Sequence, residues 1–121
     1  MKLGHLVLLA SNLTDSARHY GIILPRLGFE KSRDWVWINA DGIAVDLRPA
    51  EDAQAYQRYA PGLNHLAFSA GSQAEFDRLL SDLSTAGIDV PTVQTFGNGM
   101  AVFIPDPDGL RIEIGWEPVT N

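Results

Sequence analysis

Apolar and polar residues along this 121-residue chain run through the same order of elements twice. Residues 3–9, rich in Leu and Val, read as a buried strand. Asn12 or Thr14 is placed to cap a helix, with Asp15 near the positive end of its dipole. Ala17, Tyr20, Ile23, Leu24 and Leu27 recur at about helical spacing and give that helix one apolar face. Pro25 predicts its end or a kink, and Gly28 the closing turn. Three short strands are predicted next, over 29–33, 35–39 and 43–48, with Asn39-Ala40-Asp41-Gly42 as the turn between the last two.

The second round begins after a predicted short helical connector, 51–59, which Pro61-Gly62 ends. A strand over 64–69 matches the first strand. Ser72-Gln73-Ala74-Glu75 has the form of a capping box, and Phe76, Leu79, Leu80 and Leu83 form the stripe of a helix that Gly87 stops. Strands over 90–96 and 100–104 lead through Pro105-Asp106-Pro107-Asp108-Gly109 into a last strand, 110–116. The order βαβββ, connector, βαβββ predicts an α+β chain. It reads as a single domain, 1–121, of two repeat modules, 1–60 and 61–121.

The repeat extends to residue types. Gly4-His5-Leu6-Val7 recurs as Asn64-His65-Leu66-Ala67, and the segment 41–47 around Asp46 recurs as 108–114 around Glu113. The carboxylates are spaced seven residues further apart than the histidines, a loop-sized difference. Side chains alternate along a strand, so Val45 and Leu47 oppose Asp46, Ile112 and Ile114 oppose Glu113, and Leu66 opposes His65. The ligand-type residues thus share the face opposite the bulky apolar ones, the pattern of a curved sheet with a functional concave side.

Composition narrows the partners. A net charge of −6 and the lack of any basic stripe argue against nucleic acid, whose binding rests on phosphate neutralisation. The absence of cysteine excludes disulfides and thiolate ligands and suits the cytoplasm. Met1-Lys2 and the apolar run after it resemble a short signal peptide, but His5 interrupts the run and no A-x-A-like site follows. No apolar stretch is long enough to span a bilayer, so no membrane partner is expected.

Two imidazoles and two carboxylates could close around one divalent ion; nitrogen and oxygen donors suit Zn, Ni, Mn, Co or Fe(II). With Asp46 as the tentative fourth member, the set is His5, His65, Glu113 and Asp46; without it, His5, His65 and Glu113 form the 2-His-1-carboxylate arrangement that suits oxygen-activating iron. The plainer alternative is structural. Strand histidines usually hydrogen-bond, and Asp46 and Glu113 can simply pair with Arg48 and Arg111 across the sheet. His19 has no counterpart in the second module and reads as a surface residue, while Trp35 and Trp37 suit an apolar pocket, the core or an interface.

Taken together, Gly4-His5-Leu6, the run from Asp15 to Phe29, Pro61-Gly62-Leu63-Asn64-His65-Leu66-Ala67-Phe68, Ala86-Gly87-Ile88 and Asp106-Pro107-Asp108-Gly109 with Ile112-Glu113-Ile114 resemble the vicinal oxygen chelate superfamily. This group includes glyoxalase I, fosfomycin-resistance enzymes, extradiol dioxygenases and bleomycin-resistance proteins. The resemblance implies two βαβββ modules forming a curved mixed sheet, a concave cleft, and a metal held by His5, His65 and Glu113. It implies one divalent ion without an organic cofactor, a small-molecule substrate and a homodimer. The activity it favours is of lyase or isomerase type, with Glu113 moving a proton and Arg48 and Arg111 as substrate-binding residues for an anionic tail. Its alternatives are an Fe(II)-dependent extradiol-type dioxygenase and a non-catalytic drug- or metabolite-binding protein. In the family the position of Asp46 often carries a longer acid or amide.

Overall fold

A computed structural model of the chain describes residues 1–52 and 54–119. Backbone contacts gather it into two compact units, Met1–Ala55 and Tyr56–Asn121. The first contains β1 (His5–Ala10), α1 (Leu13–Arg26), β2 (Phe29–Arg33), β3 (Val36–Asn39) and β4 (Ala44–Pro49). Its sheet runs β1-β4-β3-β2, with β1 and β4 parallel and the other pairs antiparallel. The second contains β5 (His65–Ser69), α2 (Gln73–Thr85), β6 (Gln94–Phe96), β7 (Gly99–Pro105) and β8 (Arg111–Trp116), in the same order β5-β8-β7-β6. The fold is α+β, and its two sheets repeat one topology.

Local chemistry explains the boundaries. The Asn12 side chain caps α1 by accepting from the Asp15 amide at 3.1 Å. Pro25 is tolerated inside the last turn, and the helix closes one residue later, where the Leu27 and Gly28 amides donate to Leu24 and Pro25 carbonyls. Ser72 caps α2 through the Glu75 amide at 3.1 Å. The Glu75 carboxylate accepts from the Gly71 amide at 2.8 Å, one residue ahead of the cap, so the predicted capping box reaches back further than its usual form.

Two expectations are corrected. Residues 51–59 contain no helix among those described; Ala53 lies outside them. Instead, the Tyr56 hydroxyl donates to the Leu63 and Asn64 carbonyls, which ties the segment to the entry of β5 and draws Tyr56 into the second unit. The strand predicted over 90–96 is shortened to Gln94–Phe96, because Pro91 has no amide to give a ladder.

Each sheet buries one face. Val45 and Leu47 of β4, and Ile112 and Ile114 of β8, are at most 2% exposed, while Asp46 and Glu113 between them are half-buried. Tyr20, Ile23 and Leu24 of α1 are buried in the first unit, and Phe76 and Leu83 of α2 in the second. Trp35 stands in the β2–β3 turn at φ 68°, where glycine is usual, and its carbonyl accepts from the Leu47 amide at 2.8 Å. Among the described residues, no helix is long and apolar enough to cross a membrane.

Candidate functional site

Strand register carries the repeat down to single residues. On the parallel pair β1–β4, His5 faces Ala44, and Asp46 lies two residues further along, opposite Val7. On β5–β8, His65 faces Arg111, and Glu113 lies two further, opposite Ala67. Each unit therefore sets one imidazole and one carboxylate on the same diagonal of a parallel strand pair, on the face turned away from the buried residues.

The two diagonals end differently. In the second unit, His65 Nε2 lies 3.3 Å from Glu113 Oε1. In the first, Asp46 Oδ2 accepts from Arg48 Nε at 3.2 Å and Nη2 at 2.8 Å. That hydrogen bonding, reinforced by the charge of Asp46, raises the Arg48 pKa. The residue two places beyond the carboxylate decides the outcome. It is Arg48 after Asp46 and Gly115 after Glu113, each on the same strand face as its acid. An arginine there captures the carboxylate; a glycine leaves it to the histidine.

A short network fixes the imidazole. Asn64 Nδ2 donates to the Arg58 carbonyl at 2.9 Å, which sets the orientation of the amide. Its Oδ1 lies 2.7 Å from His65 Nδ1 and accepts from Arg111 Nη2 at 3.2 Å. An amide oxygen cannot donate, so Nδ1 carries the hydrogen and Nε2 is the nitrogen turned to Glu113. The Arg111 guanidinium lies 4.7 Å over the Phe103 ring, and His65 meets the same ring edge-on at 5.5 Å. The roles expected of Arg48 and Arg111 toward an anionic tail would thus draw each away from an internal partner.

This geometry can be tested for a cation. With Nδ1–H committed to Asn64, a neutral His65 directs a lone pair at a carboxylate oxygen, a repulsive contact unless a proton or a cation intervenes. The nitrogen–oxygen pair suits Zn, Ni, Mn, Co or Fe(II), and the Asn64 bond behind the ring is the support that metal-binding histidines usually have. Among the described residues, no three His, Asp or Glu side chains are grouped as ligands of one ion. Of the four residues expected to be ligands, the second unit brings His65 and Glu113 together, whereas in the first Asp46 is bonded to Arg48.

The second unit also has a cavity of about 580 Å³ beside Glu113, with Phe103 and Gly115 also in its lining. Asn64 and Phe103 were not singled out by sequence reasoning. The repeat held a signal for one of them, since Asn64 is aligned with Gly4, which gives His5 no equivalent amide. His19 is half-buried and meets Tyr20 edge-on at 5.2 Å. Trp37 is core, and Trp35 and Trp37 line a cavity of about 370 Å³ beside Ala17, Gly21 and Pro25 of α1.

The fold agrees with the comparisons. The family model of the Glyoxalase/Bleomycin resistance protein/Dioxygenase superfamily matches residues 2–114, and the chain belongs to that superfamily. It is 31% identical to the uncharacterised protein YqjT of Bacillus subtilis (strain 168), over 91% of this chain and 94% of that one. The crystal structure of a "putative glyoxalase" from Bacillus halodurans superposes with a TM-score of 0.81 at 26% identity, covering 95% of each chain. The fosfomycin resistance protein FosX of Listeria monocytogenes shares the fold at TM-score 0.72 and 18% identity, over 98% of this chain and 95% of that one. Such different names on one fold leave the chemistry to the site.

Proposed function

We propose that this chain is a small metal-dependent, glyoxalase-like enzyme of lyase or isomerase type, acting on a small substrate with adjacent oxygens. The supporting observation is the His65–Glu113 pair, with Nε2 turned to Oε1 at 3.3 Å and Nδ1 held by Asn64. His65 and Glu113 would hold the ion; His5, the equivalent of His65 in the first module, is the further ligand that the family resemblance implies. Asp46 would join only by sharing itself with Arg48. A bound divalent ion supplies Lewis acidity toward a carbonyl or enolate oxygen.

The chain's own residues supply the rest. Glu113 carries the proton, with one oxygen toward His65 and the other, Oε2, on the side of Gly115, where an added Cβ would come within 3.5 Å. Asn64 and Phe103 keep the imidazole from rotating away. A sequestering protein would need no imidazole–carboxylate pair of this kind. We also propose a homodimer and a cytoplasmic location, supported by family membership and by the absence of cysteine.

The test is a screen of 2-oxoaldehyde–thiol adducts and epimerisable 2-oxo compounds with Zn, Ni, Mn, Co and Fe(II), run on wild type and Glu113→Gln. Metal-dependent turnover that falls at least a hundredfold in the variant is expected. Turnover that is unaffected by chelators, or equal in the variant, contradicts the proposal.

A further inference from the structure

Two of the residues lining the cavity beside Glu113 are glycines, Gly99 and Gly115. A Cβ on Gly99 would stand 2.9 Å from Glu117 Cγ and 3.0 Å from the Trp116 carbonyl, and one on Gly115 would take the space 3.5 Å from Glu113 Oε2. Around this gap Phe96, Met100, Phe103 and Trp116 supply apolar, largely aromatic wall, with Phe96 56% exposed and so available for stacking. Its ionisable lining is confined to Glu113 and Glu117; no Lys, Arg or His is part of it among the described residues. The Arg111 guanidinium is outside the lining, spread over Phe103 and bonded to Asn64.

Glu117 is therefore not explained by the reaction proposed for Glu113. Glu117 follows directly on the end of β8, four residues beyond Glu113, and so lies at most about 13 Å along from it. An aromatic ring with a short tail, together with the contacts at its two ends, fits within that span. Glu117 is exposed and has no basic residue beside it in the cavity to neutralise it.

We infer that this cavity selects substrates that carry adjacent oxygens at one end, an aromatic or flat apolar body, and a cationic or strongly hydrogen-bond-donating tail at the other, which Glu117 receives. The inference rests on the metal-dependent reading and adds the substrate class. A carboxylate- or phosphate-tailed molecule meets Glu117 and no base at that end of the lining, and is disfavoured. Glu117 is thus a specificity residue, and Glu113 a reacting one.

The test uses three chelating probes of one ring type that differ in tail charge: dopamine, 4-methylcatechol and 3,4-dihydroxyphenylacetate. Dissociation constants are measured by calorimetry on Zn(II)-loaded and metal-free protein, for wild type, Glu117→Gln, Glu117→Lys and Asp77→Asn. Asp77, on α2, controls for the overall negative charge. In zinc-loaded wild type, dopamine should bind about tenfold more tightly than 3,4-dihydroxyphenylacetate, with 4-methylcatechol between, since attraction at one acid becomes repulsion. Glu117→Gln should bring the ratio near one, Glu117→Lys should invert it, and Asp77→Asn should leave it unchanged.

Zinc-dependent binding of all three probes without that order, or an order that survives Glu117→Gln, overturns the substrate class and leaves the metal reading standing. Binding that is indifferent to zinc, or no binding even with zinc, overturns the metal reading and this inference with it.

Discussion

At the scale of single residues, Arg48 and Gly115 hold equivalent places two residues beyond the two carboxylates, and their difference separates a closed pair from an available one. Gly115→Arg should therefore make Glu113 behave like Asp46. The expected result is a divalent-metal affinity weakened at least tenfold with little change in melting temperature, measured by calorimetry and thermal unfolding. Gly115→Ala, whose Cβ would make ordinary 3.5 Å contacts, is the structural control. An affinity unchanged in Gly115→Arg contradicts the role given to Glu113. Asn64→Ala should cost about 10–100-fold in metal affinity through loss of the bond behind His65, and equal affinity would remove Asn64 from the site. The histidines and carboxylates were legible in the sequence because the repeat preserved them in matching places. Which carboxylate was free was not. Arg48 can reach Asp46 or solvent, and only side-chain geometry decides between them.

At the scale of elements, β4 and β8 work by alternation, with apolar residues under the sheet and chemistry above it. In β8, Ile114→Ala should cost about 2–5 kcal/mol by leaving a cavity among fully buried neighbours. Glu113→Gln, one residue away on the other face, should stay within about 1 kcal/mol of wild type. Denaturant unfolding measures both, and equal losses would contradict the assignment of faces. Helices and most strands were readable because their signals are local: caps at Asn12 and Ser72, apolar stripes, and period-two runs. The connector was not, because the Tyr56 hydroxyl takes backbone carbonyls seven and eight residues ahead, a tie that no local periodicity records. Pro91 did forbid a ladder bond, and the strand predicted over 90–96 gave it too little weight.

At the scale of the whole chain, one βαβββ plan is used twice, and each copy contributes one imidazole and one carboxylate at the same register. The copies differ around these residues: Gly4 against Asn64, Arg48 against Gly115, Asp46 against Glu113. The homodimer proposed from family membership predicts a mass about twice 13.2 kDa by light scattering, and a mass of 13.2 kDa at the same concentrations contradicts it. Family and fold were legible from nearly the whole length of the sequence, since they rest on apolar pattern and turn chemistry spread along it. The substrate was not, because it depends on what a few side chains leave open in one cavity.

The central claim is that His65 and Glu113 hold a divalent ion, and elemental analysis of protein purified without chelators or a metal-affinity tag tests it most directly. The expected result is close to one divalent ion per chain in wild type and almost none in His65→Ala. Metal-free wild-type protein that also fails to take up Zn, Ni, Mn, Co or Fe(II) would contradict it.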